Sequence, residues 1–244
     1  MLNFNGVKVP EFLKVQAIHI QTLPAIETNL KKIVGSSGRI AGRSNFGEKV
    51  IKCDVAVVIP EGYSLQKCGR ELAVWVRGND FKLSPLIIED DPEIQYLAKI
   101  SNSVDLSDLL FVGSGSIEFV VPSGDSELIR TVTTSGTKSV TVNNQGTKAT
   151  FPVIEATIGT NVTNGIVVLQ NITSGKKAIF SGTFKAGQIL TFDCNKHLVK
   201  LDNRLDISML NIESEFFELL EGSNVIQINN ERAKIVVTHK VKYL

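Results

Sequence analysis

Apolar and polar positions alternate along much of this chain, and the period of two is clearest at its end. Ile235, Val237, His239, Val241 and Tyr243 fall on one side of an extended stretch, with Lys234, Thr238, Lys240 and Lys242 opposite them. That period predicts a strand with one buried face. Ile154, Ala156 and Ile158 alternate with Val153, Glu155 and Thr157, and Ile166 to Leu169 is a short continuous apolar run. Ile179, Leu190, Phe192 and Leu198 to Leu201 follow at short intervals. Turn residues punctuate them at Asn144 to Gly146, Asn164-Gly165, Ser174-Gly175, Ala186-Gly187, Asp202-Asn203 and Gly222 to Asn224. Short strands at this rhythm, without helical interludes, predict a two-sheet sandwich for the second half.

The first half is mixed. Val15 to Ile20 reads as a strand with Val15, Ala17 and a partly buried His19 on one face, and Val50 to Ile59 reads as another, ending at Pro60. Between them, the passage GSSGRIAGRSNFG places Gly35, Gly38, Gly42 and Gly47 in a basic segment, which predicts a long, mobile hairpin arm. Ser64 is positioned to cap a helix in which Leu65, Cys68, Leu72 and Trp75 or Val76 recur at helical spacing, and Gly78-Asn79 ends it. Trp75, the single tryptophan, is assigned to anchor that helix on a sheet. Leu86 to Ile88, Glu93 to Ser103 and Ile117 to Val121 read as further strands. The polar SGDSELIRTVTTSGTKS then marks a boundary, giving domains at 1–130 and 131–244. The fold class is mainly β: a sandwich or split barrel with one helix and a long β-hairpin arm, then a second sandwich.

Composition narrows the function. Hydrophobic residues make up 43% of the 244 residues, so the chain can build cores, and 26 Lys and Arg against 25 Asp and Glu leave a net charge of +1. Such a balance exerts no global pull on nucleic acid or an anionic membrane. Apolar runs such as Val55 to Ile59 are far shorter than the ~20 residues that span a bilayer as a helix. The N-terminus MLNFNGVKVP shows no secretory signal pattern, so Cys53, Cys68 and Cys194 read as free thiols, and the N-x-T triplets at Asn161 and Asn171 as turn and strand-end residues.

Catalytic patterns are not found. His19, His197 and His239 are isolated, no cysteine sits at metal-ligand spacing, and there is no G-x-S-x-G turn. The arm glycines lack the G-x-x-x-x-G-K-[ST] spacing that cradles phosphate. Asp90-Asp91 and the pair Asp202 and Asp206 lie in turn sequence rather than in a pocket-like context. No enzyme activity, cofactor or metal is expected. What stands out is the arm, where Lys31, Lys32, Arg39, Arg43 and Lys49 face Glu27 and Glu48, with Phe46 the only aromatic. That pattern fits docking on an acidic neighbour or a solvated loop, but not sequence-specific capture of single-stranded nucleic acid.

The order of motifs resembles the distal tail protein (Dit) family of phages with long, non-contractile tails. FNGVKV, GSSGRIAGR, ELAVWV and GSGSIEFVV carry the likeness in the first half. VNNQGTKATFPVIEATI, NGIVVLQNITSGKKAIFSGTFKAGQILTFD and FFELLEGSNVIQI carry it in the second, where they resemble that family's galectin-like module. Glu218 stands where the family more often has proline. The resemblance implies a structural protein of the virion tail tip, assembled in the host cytoplasm. It implies a ring, a homohexamer, joining the tail tube protein to the tail-tip protein and a receptor-binding protein, with a lumen for DNA and no membrane insertion. Lys31, Lys32, Arg39, Arg43 and Phe46 become candidate subunit contacts. The alternative is a carbohydrate-binding module for host cell-wall polysaccharide, although the second half has no tryptophan to stack on a sugar.

EFFELLEGSNVIQI, residues 215–228, is the densest apolar stretch of the second half. Three glutamates make it a poor membrane helix. It is expected to serve the fold: Phe216 and Leu219 or Leu220 plug the space between the sheets, and Gly222 and Asn224 make a tight turn into the next strand.

Overall fold

The computed structural model describes residues 2–35, 37–102 and 114–244. Ser103 and Gly113, at the ends of two expected motifs, lie outside the described residues. Contacts divide the chain into two units, one ending at Glu127 and the other spanning Leu128–Tyr243.

The first unit contains Leu2–Phe4 (β1), Val7–Lys8 (β2), Leu13–Ile20 (β3), Ile26–Lys32 (β4), Arg39–Phe46 (β5), Lys49–Val57 (β6), the helix Leu65–Arg77 (α1), Ser84–Ile88 (β7), Ile94–Ile100 (β8), Gly115–Val121 (β9) and Ser126–Leu128 (β10). Its main sheet runs β2-β1-β7-β8-β9-β6-β3, and the path ends at β2 and β3 without closing into a barrel. The core lies where α1 covers that sheet. Cys68, Leu72 and Trp75, at i, i+4 and i+7, form the buried stripe of α1, while Leu65 is exposed. Trp75 packs edge-on against Phe4 and Phe119, with centroids 6.0 and 6.1 Å away, and its Nε1 donates to the Val7 carbonyl at 3.3 Å. Ser64 caps the helix by accepting the Lys67 amide at 3.2 Å, and Gly78 ends it at φ 54°. Such a cap contributes about 1 kcal/mol.

In β3 the simple alternation fails. Its pairing with β6 shifts between Val15 and Ala17, and this bulge brings Val15 and Ile18 together onto the core. His19 is therefore exposed rather than partly buried, and its Nε2 lies 2.9 Å from Asp54 Oδ2.

The second unit is a sandwich. It contains Val132–Thr137 (β11), Ser139–Asn144 (β12), Val153–Thr157 (β13), Val162–Asn171 (β14), Lys177–Phe184 (β15), Ile189–Asp193 (β16), Leu198–Leu201 (β17), Arg204–Leu205 (β18), Gly222–Ile228 (β19), Lys234–His239 (β20) and Lys242–Tyr243 (β21). One sheet runs β11-β20-β13-β16-β17-β18 and the other β12-β19-β14-β15. Ile154, Ala156, Leu190, Phe192, Ile235 and Val237 from the first meet Val140, Val142, Val167, Leu169, Ile226 and Ile228 from the second in one buried core.

The apolar run Ile166 to Leu169 is half-buried in alternation, Val167 and Leu169 being buried while Ile166 is 54% exposed. One sequence expectation is corrected beside it. Asn164-Gly165 is an irregularity inside β14, where the pairing to β15 shifts between Val162 and Gly165, and not a turn between strands. At the end of the chain, regular pairing stops at His239, so Tyr243 belongs to the short β21.

Candidate functional site

The glycine-rich passage does not run as a loop between two strands. It supplies a ribbon of its own, in which β4 and β5 pair antiparallel with each other and, among the described residues, with no other strand. At its root the Ala25 amide donates to the Glu48 carbonyl at 3.2 Å, and the Gly47 amide to the Ala25 carbonyl at 2.6 Å. Gly35 and Gly38, at φ 87° and 123°, reverse the chain at the tip, a conformation that favours glycine. Gly42 sits at the irregularity opposite Asn29, where an added Cβ would come within 3.0 Å of the Asn29 carbonyl oxygen.

The register sorts the ribbon into two faces. Ile26 pairs with Phe46, Leu30 with Ala41 and Lys32 with Arg39, and because side chains alternate along β4 these pairs share one face. Ile26, Leu30 and Phe46 are 61, 50 and 48% exposed there. Glu27, Asn29, Lys31, Arg43 and Asn45 line the opposite, polar face. An isolated two-stranded ribbon is marginal in water. The sequence reading found Lys31, Lys32, Arg39, Arg43 and Phe46, all of them exposed, and missed the apolar row at Ile26 and Leu30. The alternation in IETNLKK is the signal that reveals it.

A second opening, about 500 Å³, lies between α1 and the β1–β2 turn, lined by Phe4, Val7, Pro10, Arg70, Val74 and Trp75. It is a mainly apolar groove in which Lys8, Arg70 and Glu71 are the ionisable lining residues. Of the groups weighed for chemistry, Asp202, Asp206 and the buried cysteines serve the fold, while Asp90 and Asp91 lie exposed in the turn between β7 and β8. Asp202 accepts the Ile189 amide and the Gln188 side chain, which hold its carboxyl below the usual range. Asp206 caps the turn at Ile207–Met209 by accepting the Ser208 amide. Burial pushes the Cys53 and Cys194 thiols up to about 12, so neither provides a thiolate near neutrality. Burial also holds His239 below its ordinary value, with neither ring nitrogen hydrogen-bonded. Among the described residues, no group of three potential metal ligands comes together.

The stretch around Phe216 is extended rather than helical. Phe217 and Leu219 are fully buried, whereas Phe216 is half-buried, stacked on Phe192 at 4.7 Å and against the His197 ring at 4.8 Å. The innermost place thus goes to Phe217 instead of Phe216, and Leu220 is 38% exposed. Helical spacing would put residues 216 and 219 or 220 on one face, but an extended chain buries alternate residues. Leu219 exchanges both backbone hydrogen bonds with Thr150, at 3.1 and 2.7 Å. Buried asparagines at the ends of three strands of one sheet hold this strap. Asn144 donates to the Leu219 carbonyl, Asn171 to the Glu218 carbonyl, and Asn224 to the Leu220 carbonyl. Asn171 also accepts the Thr173 and Ser174 amides, so the buried asparagine of this N-x-T triplet holds the turn while Ile172 and Thr173 are exposed. Gly222, at φ 79°, turns the chain into β19.

Residues 7–121 match the model of the phage tail protein RIFT-related domain, and residues 145–243 that of the siphovirus-type tail component, C-terminal domain. The crystal structure of the SPP1 Dit protein, described as a paradigm of the hub adsorption apparatus in phages infecting Gram-positive hosts, superposes with a TM-score of 0.79 at 18% identity, covering 100% of this chain and 98% of that one. The activated baseplate of phage P2 with calcium matches at a TM-score of 0.44 and 8% identity, covering 97% of this chain and 96% of that one. No curated protein sequence matches.

Proposed function

We propose, for a chain that belongs to the siphovirus-type distal tail component family, that it closes into a ring of six through its first unit. The family is one of structural tail proteins, and the chain is accordingly a hub-type component of the phage tail. In this reading the ring joins the tail tube protein to the tail-tip protein and to receptor-binding proteins, and leaves a lumen through which DNA passes. Assembly takes place in the host cytoplasm, before the tail tip is complete.

The observation that carries this reading is the uncovered β4–β5 arm, with Lys31, Lys32, Arg39, Arg43 and Phe46 as the contact set. Covering the exposed half of Ile26, Leu30 and Phe46 contributes roughly 1 kcal/mol each. Association costs about 4 kcal/mol or more. A single arm therefore does not hold two subunits together, whereas closure of a ring adds the contacts of the subunit bodies. Light scattering and negative-stain imaging of the full chain, alone and with tube and tip proteins, test the reading. Rings support it. A monomer at high concentration that forms no ring with either partner overturns it.

A further inference from the structure

The first unit separates its charge. Residues 1–127 carry 13 Lys and Arg against 16 Asp and Glu, while the arm, 25–47, holds four of the former and one of the latter. The arm is therefore +3, and the remainder, nine against fifteen, is −6. Within that remainder the densest acidic surface is the turn between β7 and β8, where Glu89, Asp90, Asp91 and Glu93 are all exposed.

That turn is held rigidly. The Asp91 amide donates to the Ile88 carbonyl at 3.0 Å and the Ile94 amide to the Asp91 carbonyl at 3.2 Å, with Ile88 and Ile94 buried on either side. Two other carboxylates of the unit have cationic neighbours within the chain: Asp54 lies 2.9 Å from His19 and 3.7 Å from Lys52, and Asp80 lies 3.6 Å from Arg77. Among the described residues, no ion pair engages Asp90, Asp91 or Glu93, and none engages Lys31, Lys32, Arg39 or Arg43.

We infer that the basic tip of the β4–β5 arm of one copy docks on the acidic β7–β8 turn of a second copy. This rests on the ring reading and names the place where the arm lands. Lys32 and Arg39 are cross-strand partners near the tip, on strands roughly 4.8 Å apart, with Lys31 beside them on the other face of the ribbon. The contact is heterologous, with different surfaces on the two partners, which is the arrangement that closes rings. Opposite charges also fix the register and direction of such a contact and exclude arm-to-arm pairing.

Charge reversal tests this in the full chain. One variant carries Lys31→Glu, Lys32→Glu and Arg39→Glu; the other carries Asp90→Lys, Asp91→Lys and Glu93→Lys. Sedimentation velocity reads assembly, with circular dichroism melts as the check on folding. Each variant alone assembles at least about tenfold more weakly than the native chain. An equimolar mixture recovers assembly, because reversed arms now face reversed turns in alternation around a ring. Native assembly that survives either reversal overturns the landing site and leaves the ring reading standing, and so does a mixture that fails to recover. A native chain that forms no ring defeats the ring reading itself. If the arm reversal abolishes only salt-sensitive binding to duplex DNA, with assembly intact, the arm's partner is a polyanion and the inference falls.

Discussion

Asn224 closes around the Leu220 peptide: its Oδ1 accepts the Leu220 amide at 2.9 Å while its Nδ2 donates to the Leu220 carbonyl at 2.7 Å. The same Nδ2 reaches the Gly222 carbonyl at 3.1 Å, and the side chain is fully buried. Asn224→Asp keeps the shape but replaces the donor with an acceptor facing two carbonyls. Stability of the second unit is expected to fall by about 2–4 kcal/mol, since buried groups left unpaired cost about 1–3 kcal/mol each. Amide hydrogen exchange across Gly222–Ile228 measures it.

The strap predicts an order of losses. Phe217→Ala is expected to cost about 3–5 kcal/mol, as for other fully buried aromatics. Phe216→Ala removes a half-buried ring stacked on Phe192 and is expected to cost roughly half as much. Denaturant unfolding followed by far-ultraviolet circular dichroism ranks the two; the reverse order would make Phe216 the true plug.

His239 makes stability depend on pH in a defined direction. Burial depresses its folded pKa below 6.5, so folding binds the neutral ring and excludes the proton. Above 6.5 both states are neutral and stability is complete. As pH falls through 6.5 the unfolded chain takes up a proton that the folded chain resists, and stability declines until the folded pKa is reached. Thermal melts from about pH 7.5 to 5 are expected to show this decline, and a smaller one for His239→Leu.

Cys53, Cys68 and Cys194 are at most 1% exposed, and burial raises the thiols of Cys53 and Cys194 to about 12. A disulfide reagent at pH 8 is expected to titrate none of them in the folded chain and all three in denaturant. Rapid labelling of the native protein would show that a unit opens readily.

Two glycines are expected to respond oppositely to alanine. Gly69 lies inside α1 with nothing within 4 Å of an added Cβ, so Gly69→Ala stabilises by about 0.5–1 kcal/mol. At Gly159 the same atom meets the Arg232 carbonyl carbon and the Glu231 carbonyl oxygen at 2.2 Å. Gly159→Ala is expected to destabilise by about 1–3 kcal/mol, because backbone must move. Parallel melting curves compare them.

Where neighbours in the chain decide, the sequence was legible. Ser64 and Gly78 mark the two ends of α1 because capping is satisfied within a few residues. The alternation from Ile235 to His239 survives because β20 lies between β11 and β13, with one face on the core. The family likeness followed from the same local record, since its motifs are turns and strand patterns. Pairing between distant strands decided the rest. The bulge at Val15 and Ala17 that turned His19 outward exists only against β6. The strap through Phe217 and Leu219 is extended because Asn144, Asn171 and Asn224, far apart in sequence, converge on its peptide groups. The arm stands between these cases. Its charges and the alternation of Ile26 and Leu30 were readable, but that Phe46 joins their face appears only once the register pairs Ile26 with Phe46, because which residues of two strands share a face is set by the pairing.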